Sequence, residues 1–270
     1  MELLIFVFIF LLGTIIGSFL NVVIYRFNTG KTIVKGRSIC MNCGHNLRWY
    51  ELVPVFSFLI QRGKCRRCKS RISIQYPLVE ILTGFIFALI SFRFFPILYF
   101  SPLLYMFYNA LFVFIFSLLI VISVYDLRHK IIPEKLVIIF IVISFLTIFI
   151  NPNIFGRIFV LPNFFSIISG PLLALPFVLL WLFSKGRLMG LGDGKLILGI
   201  GWLLGIYQGL CAIIIAFWIG AIVSLFIMLL SKKKINMKTE VPFAPFLIIS
   251  TFVTFLFGLN VFSLSSLFGM

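Results

Sequence analysis

"LLIFVFIFLLGTIIGSFLNVVIY", residues 3–25, carries no charged side chain from end to end. A helix rises 1.5 Å per residue, so about 20 apolar residues cross the roughly 30 Å hydrocarbon core of a bilayer. Comparable stretches recur, and we read apolar spans at 3–25, 74–95, 103–125, 136–150, 164–184, 195–206, 208–230 and 242–262. The fourth and sixth are short for full crossings. The composition agrees, being 62 % hydrophobic and 11 % charged, whereas a soluble domain is about half apolar and a quarter charged. The expected fold class is all-α, a polytopic membrane helical bundle with about eight transmembrane segments. The first run lacks a basic flank, Glu2 being its only early charge, and it is long for a signal-peptide core. It reads as a retained span.

The formal charge of +16 invites a nucleic-acid reading until its distribution is considered. Alternate connections between the spans (26–73, 126–135, 185–195 and 231–241) hold 21 of the 23 lysines and arginines, leaving only Arg93 and Arg157 for the other side. That asymmetry is the positive-inside pattern. It predicts that these four connections are cytoplasmic, that the N-terminus is outside, and that no nucleic-acid partner is needed. A phosphate-binding role for 26–73 stays open at this point. The natural division is 1–73, the first span with its long basic loop, and 74–270, a membrane core.

The long loop contains "CMNCGHNLRWYELVPVFSFLIQRGKCRRC", residues 40–68. Cys40 with Cys43 and Cys65 with Cys68 form two CxxC pairs, and two such knuckles complete a tetrahedral four-sulfur site. In a reducing compartment stable disulfides are disfavoured, so a structural zinc is expected, with redox thiols as the alternative. Four thiolates leave no position for a reactive water, so this metal would fold the loop and not do chemistry. His45 is surplus to such a site and reads as an exposed loop residue. Cys211, alone in a span, reads as packing.

The chain has only two aspartates, Asp126 in "VYDLRHKIIP" (124–133) and Asp193 in "MGLGDGKL" (189–196). By the topology above both fall at the cytoplasmic membrane edge, where ionisable groups are costly and are functional candidates. Taken singly, Asp193 could be a helix N-cap and Asp126 a solvated partner of Arg128 or Lys130. Taken together, both stand beside helix breakers (Pro133; Gly190, Gly192, Gly194). Two adjacent carboxylates share a proton, one acting as base on water while the other hydrogen-bonds the target carbonyl. Gly190, Gly192 and Gly194 would then let an extended substrate backbone approach Asp193, and on sequence grounds Gly192→Ala is the sharpest test of that role.

Other chemistries fail on inventory. There is no H-E-x-x-H, G-x-S-x-G or Walker loop, and "GIGWLLG" (199–205) misses the dinucleotide spacing. Two further readings compete: a non-enzymatic zinc-knuckle sensor or assembly factor, and a proton-coupled transporter with the acids as relay. Against the transporter, the acids lie at the membrane edge and no inverted repeat is evident.

The sequence resembles the type IV prepilin peptidases, bacterial membrane aspartic peptidases of the GxGD type. The resemblance rests on "GSFLNVVIYR" (17–26), the paired CxxC loop with "LVPVFSFL" and "RGKCRRC", "ISIQYPLVEILTG" (72–84), "DLRHKIIP", "GLGDGKL" and "PFAPFL" (242–247), in that order. It implies that Asp126 and Asp193 are catalytic. It also implies that the substrates are type IV prepilins or pseudopilins, whose short basic leader is cut after a Gly that usually precedes Phe. Members with the cysteine loop typically also N-methylate the new terminus with S-adenosylmethionine, for which this sequence supplies no binding motif. The resemblance further implies a multi-pass protein of the bacterial inner membrane, with its catalytic face and cysteine loop cytoplasmic. Phe27 and Asn28 replace the usual Leu-Pro of the first signature, and Ala244 stands where the late motif often has Gly. That alanine would make backbone approach there less open.

Overall fold

The structure is a computed structural model that describes residues 2–30, 32, 36, 38–150, 159–230 and 241–262. The described residues form helices and connections, with no β-strand beyond three isolated bridges. The basic connection 231–241, apart from Val241, and Arg157 lie outside the described residues. The helices are α1 (Glu2–Arg26), α2 (Phe56–Ile60), α3 (Gln75–Leu98), α4 (Pro102–His129), α5 (Glu134–Thr147), α6 (Phe164–Ser184), α7 (Leu191–Leu230) and α8 (Ala244–Phe257). Five of them, α1, α3, α4, α6 and α7, are long and apolar enough to cross a membrane. The protein is therefore an all-helical, multi-pass membrane protein.

The sequence-predicted division between spans 195–206 and 208–230 appears as a break within α7 at Gly205, whose φ of 78° and ψ of 179° no helix contains, so α7 is two helical segments joined at a kink. Helix α4 continues one turn past the apolar run that ends at Tyr125, so Asp126 is inside it and not beyond it. The helix stops when Lys130 turns left-handed at φ 54° and its N–H returns to the Asp126 carbonyl at 2.7 Å, a common helix stop.

Packing divides the chain into two compact units, Met1–Val121 and Ile122–Met270. The 73–74 boundary of the sequence reading marks where the loop ends; this division marks where packing changes. In the first unit, α1 packs on α3. Gly13 and Gly17 bring the helices together: a methyl group on Gly13 would lie 2.8 Å from the Gly84 Cα, and one on Gly17 equally near the Glu80 Cα. In lipid, where apolar burial gives helices little reason to associate, such small-residue contacts are what hold them. In the second unit, α7 packs on α5, α6 and α8. Here too glycine meets glycine, a methyl group on Gly201 lying 2.7 Å from the Gly170 Cα, and the Ser169 hydroxyl donates to the Gly201 carbonyl at 2.9 Å. This close seam joins the first half of α7 to α6.

Candidate active site and metal site

Asp126 lies one turn from the C-terminal end of α4, and Asp193 lies in the first turn of α7. Both belong to the second unit, and both are buried, at 4 % and 9 % exposed. They stand within electrostatic range of one another although 67 positions separate them in sequence. The simple alternatives fare differently at the two positions. A solvated Asp126 paired with a neighbouring cation is ruled out by its burial, and its Oδ2 meets no hydrogen-bond partner. The ion pair of the described residues joins Lys195 to Glu134 instead.

Asp193 is not an N-cap. With α7 beginning at Leu191 it occupies the third helical position, its N–H donating to the Gly190 carbonyl at 3.2 Å. Its carboxyl faces back to the Gly190 amide, the return half of a capping box. Asp126 has a comparable amide, that of Ala244, the first residue of α8. The late "PFAPFL" motif thus brings a helix N-terminus, with its unpaired N–H groups, to the first aspartate. From sequence alone Ala244 stands out only as a departure from the late motif. Its signal was there: a proline beside it, at a position where helices begin.

The three glycines differ in surroundings. A methyl on Gly190 would lie 3.6 Å from Asp193 Oδ2, directly over the carboxyl. A methyl on Gly194 would make ordinary contact with Val178 at 3.4 Å. A methyl on Gly192, however, would press on Ile132, at 3.0 Å from its Cβ and 3.1 Å from its Cδ1. Gly192 therefore packs against the "HKIIP" connection, and its substitution reports on packing as well as on approach to Asp193.

The first unit holds the cysteine cluster. The Sγ atoms of Cys40, Cys43, Cys65 and Cys68 all lie within 4.8 Å of one another. Sulfurs about 2.3 Å from one tetrahedral ion lie about 3.8 Å apart, the separation of Cys40 and Cys68. The two knuckles repeat one backbone design. Cys40 N–H donates to the His45 carbonyl and Gly44 N–H to the Cys40 carbonyl, both at 2.9 Å. Cys65 N–H donates to Ser70 at 2.9 Å and Lys69 N–H to Cys65 at 3.0 Å. Each turn needs a left-handed residue four positions after its first cysteine: Gly44 at φ 68° in one, Lys69 at φ 59° in the other. His45 is outside the thiol set and half-buried, with Arg67 Nη1 3.5 Å from its Nδ1. Hydrogen bonds from the Ser70 hydroxyl and backbone lower the Cys68 thiol to about 6. The Cys43 thiol is favoured as thiolate by the His45 backbone, yet desolvation and the Cys40 and Cys68 sulfurs push it up to about 11. Four crowded sulfurs cannot all ionise without a cation among them. The donor set fits a metal ion. Cys211 is fully buried within α7, apart from this set.

Comparison with known proteins agrees with this two-part layout. Residues 11–94 match the family model described as Bacterial Peptidase A24 N-terminal domain, and residues 113–225 match that of the Type IV leader peptidase family. The chain is similar to a protein of Bacillus subtilis (strain 168) named prepilin leader peptidase/N-methyltransferase, 30 % identical over 94 % of this chain and 95 % of the relative. A protein of the same name from Vibrio cholerae is 32 % identical over 79 % of this chain and 85 % of that one. A third so named, from Myxococcus xanthus, is 54 % identical over 30 % of this chain and 24 % of its own length. No solved structure matches significantly. With relatives aligned from end to end and a family model over each part, the chain belongs to the type IV leader peptidase family.

Proposed function

We propose that the protein is a bifunctional membrane enzyme that removes the leader of type IV prepilins or pseudopilins and N-methylates the terminus it creates. The observation that carries the first activity is the pair of buried aspartates, from the end of α4 and the start of α7, within electrostatic range in one compact unit. One carboxylate takes a proton from water, and the water oxygen attacks the scissile carbonyl. The other carboxyl, protonated, donates to the carbonyl oxygen as charge gathers there. Collapse breaks the C–N bond, and the proton passes to the departing amine. Asp126 and Asp193 are the catalytic pair; Gly190, Gly192 and Gly194 form the edge over which the substrate backbone reaches Asp193.

The basic connections support a cytoplasmic orientation for this edge and for the cysteine loop. Cys40, Cys43, Cys65 and Cys68 hold a structural zinc, which organises the loop. Residues 1–73 serve methylation. S-adenosylmethionine, when bound, supplies the electrophilic methyl group. Neither a sensor nor a transporter role is favoured by the family membership. Incubating the purified protein in detergent with a prepilin separates the three readings. Leader release is expected; intact prepilin after prolonged incubation with zinc-loaded protein overturns this one.

A further inference from the structure

The loop between α1 and α3 presents an apolar face that the metal site does not use. In α2, Phe56, Leu59 and Ile60 stand at i, i+3 and i+4 and so share one side. They are 60 %, 64 % and 70 % exposed. Phe58 points elsewhere, its ring resting on Gly63.

Glu80 fixes the level of this face along α3. The N–H of Val55, immediately before α2, donates to Glu80 Oε2 at 2.8 Å. Val55 is held at φ 61°, a costly conformation for a β-branched residue, so the bond secures a strained joint. Glu80 is buried and lies five residues into α3, roughly 8 Å along its axis. The outward stripe of α3 is already apolar there, with Ile74, Leu78, Leu82 and Phe85 all exposed. The apolar face of α2 therefore lies level with surface that belongs to lipid.

The charge that follows α2 has one sign. Arg62, Lys64, Arg66, Arg67, Lys69 and Arg71 are all exposed, and the nearby acid Glu51 is buried, bonded to the Arg48 N–H. Among the described residues none of these cations pairs with a carboxylate. An apolar face with a basic rim, at the depth where a neighbouring span turns apolar, matches the boundary between headgroups and acyl chains of an anionic leaflet. We propose that α2 and the second cysteine knuckle lie on the membrane surface, with Phe56, Leu59 and Ile60 among the acyl chains and the Arg62–Arg71 cations on anionic headgroups. The metal site is thereby docked on the bilayer and not suspended in the aqueous phase.

The test uses the full chain, zinc-loaded and reconstituted in phosphatidylglycerol/phosphatidylethanolamine vesicles with a prepilin present. p-Benzoyl-phenylalanine replaces Phe56 or, as the inward control, Phe58. On irradiation, position 56 is expected to yield a lipid adduct at least about fivefold above position 58, as an inserted face requires. Replacing phosphatidylglycerol by phosphatidylcholine should reduce that yield about threefold or more. An adduct to prepilin or to a second copy, or no lipid adduct, overturns the proposal. Independently, the triple variant Phe56→Asp, Leu59→Asp, Ile60→Asp should keep its metal and raise amide exchange over 56–62 by about tenfold or more. Unchanged exchange in the metal-loaded variant likewise overturns it.

Discussion

Asp126 and Asp193 are the only aspartates of the chain, and the proposed mechanism needs both. Asp126→Asn or Asp193→Asn should each slow leader cleavage by at least ~10³-fold, since acid–base help from a positioned group contributes about 10²–10⁴. A timed cleavage assay checks this, and activity within tenfold of the parent in either variant would remove the pair from the mechanism. The glycines divide into three expectations. Gly194→Ala, with ordinary contact to Val178, should melt near the parent. Gly192→Ala presses on Ile132 and should destabilise the fold by about 1–3 kcal/mol, the usual range for an overpacked site, and so melt earlier. Gly190→Ala has room for its methyl but sets it over Asp193 Oδ2. It should lose at most about 1 kcal/mol of stability, as alanine at a helix N-cap does, and cleave at least ~10-fold more slowly, a barrier change of about 1.4 kcal/mol. A progress curve beside a thermal melt for each variant separates these outcomes.

At the scale of an element, the two knuckles are built alike except at the left-handed position, where one has Gly44 and the other Lys69. Lys69→Gly should relieve about 1 kcal/mol of backbone strain, seen as slower zinc release to a chelator. Elemental analysis should find about one zinc per chain, lost in Cys40→Ser and Cys68→Ser. Metal retention should also depend on pH with a definite sign. The Cys68 thiol is lowered to about 6 in the folded loop, chiefly by Ser70. Its contribution is full above the ordinary thiol value of 9.0 and is lost progressively as pH falls to about 6, because thiolates must be protonated to leave the metal. Ser70→Ala should move release to higher pH in a titration followed by a zinc-sensitive dye. Release curves that superimpose would show that Ser70 does not tune the site.

For the whole molecule, division into two compact units, one with the thiols and one with the aspartates, predicts separable activities. Either aspartate variant should still methylate a pre-cleaved pilin. Cys68→Ser should lose methylation more completely than cleavage. Mass spectrometry of the pilin N-terminus reads both at once, and parallel loss in every variant would refute the division of labour.

The sequence by itself determined the class of the fold and the identity of the chemical groups. Apolar runs long enough to span lipid need no tertiary context to declare themselves, because the bilayer imposes their length and forces their backbones into helices. The CxxC spacing was legible for a similar reason: two residues between thiols is a local geometry that one turn closes. Tertiary structure alone decided what met across distance. The sequence did not show that Asp126 would be buried with an orphaned oxygen, or that Ala244 would open a helix toward it. Nor did it show that Gly192 packs on Ile132 while Gly190 borders the carboxyl, or that Glu80 holds Val55. Periodicity reports which face of a helix is buried, but the partner it meets is set by crossings such as Gly201 on Gly170. Those depend on close fits between segments far apart in the chain.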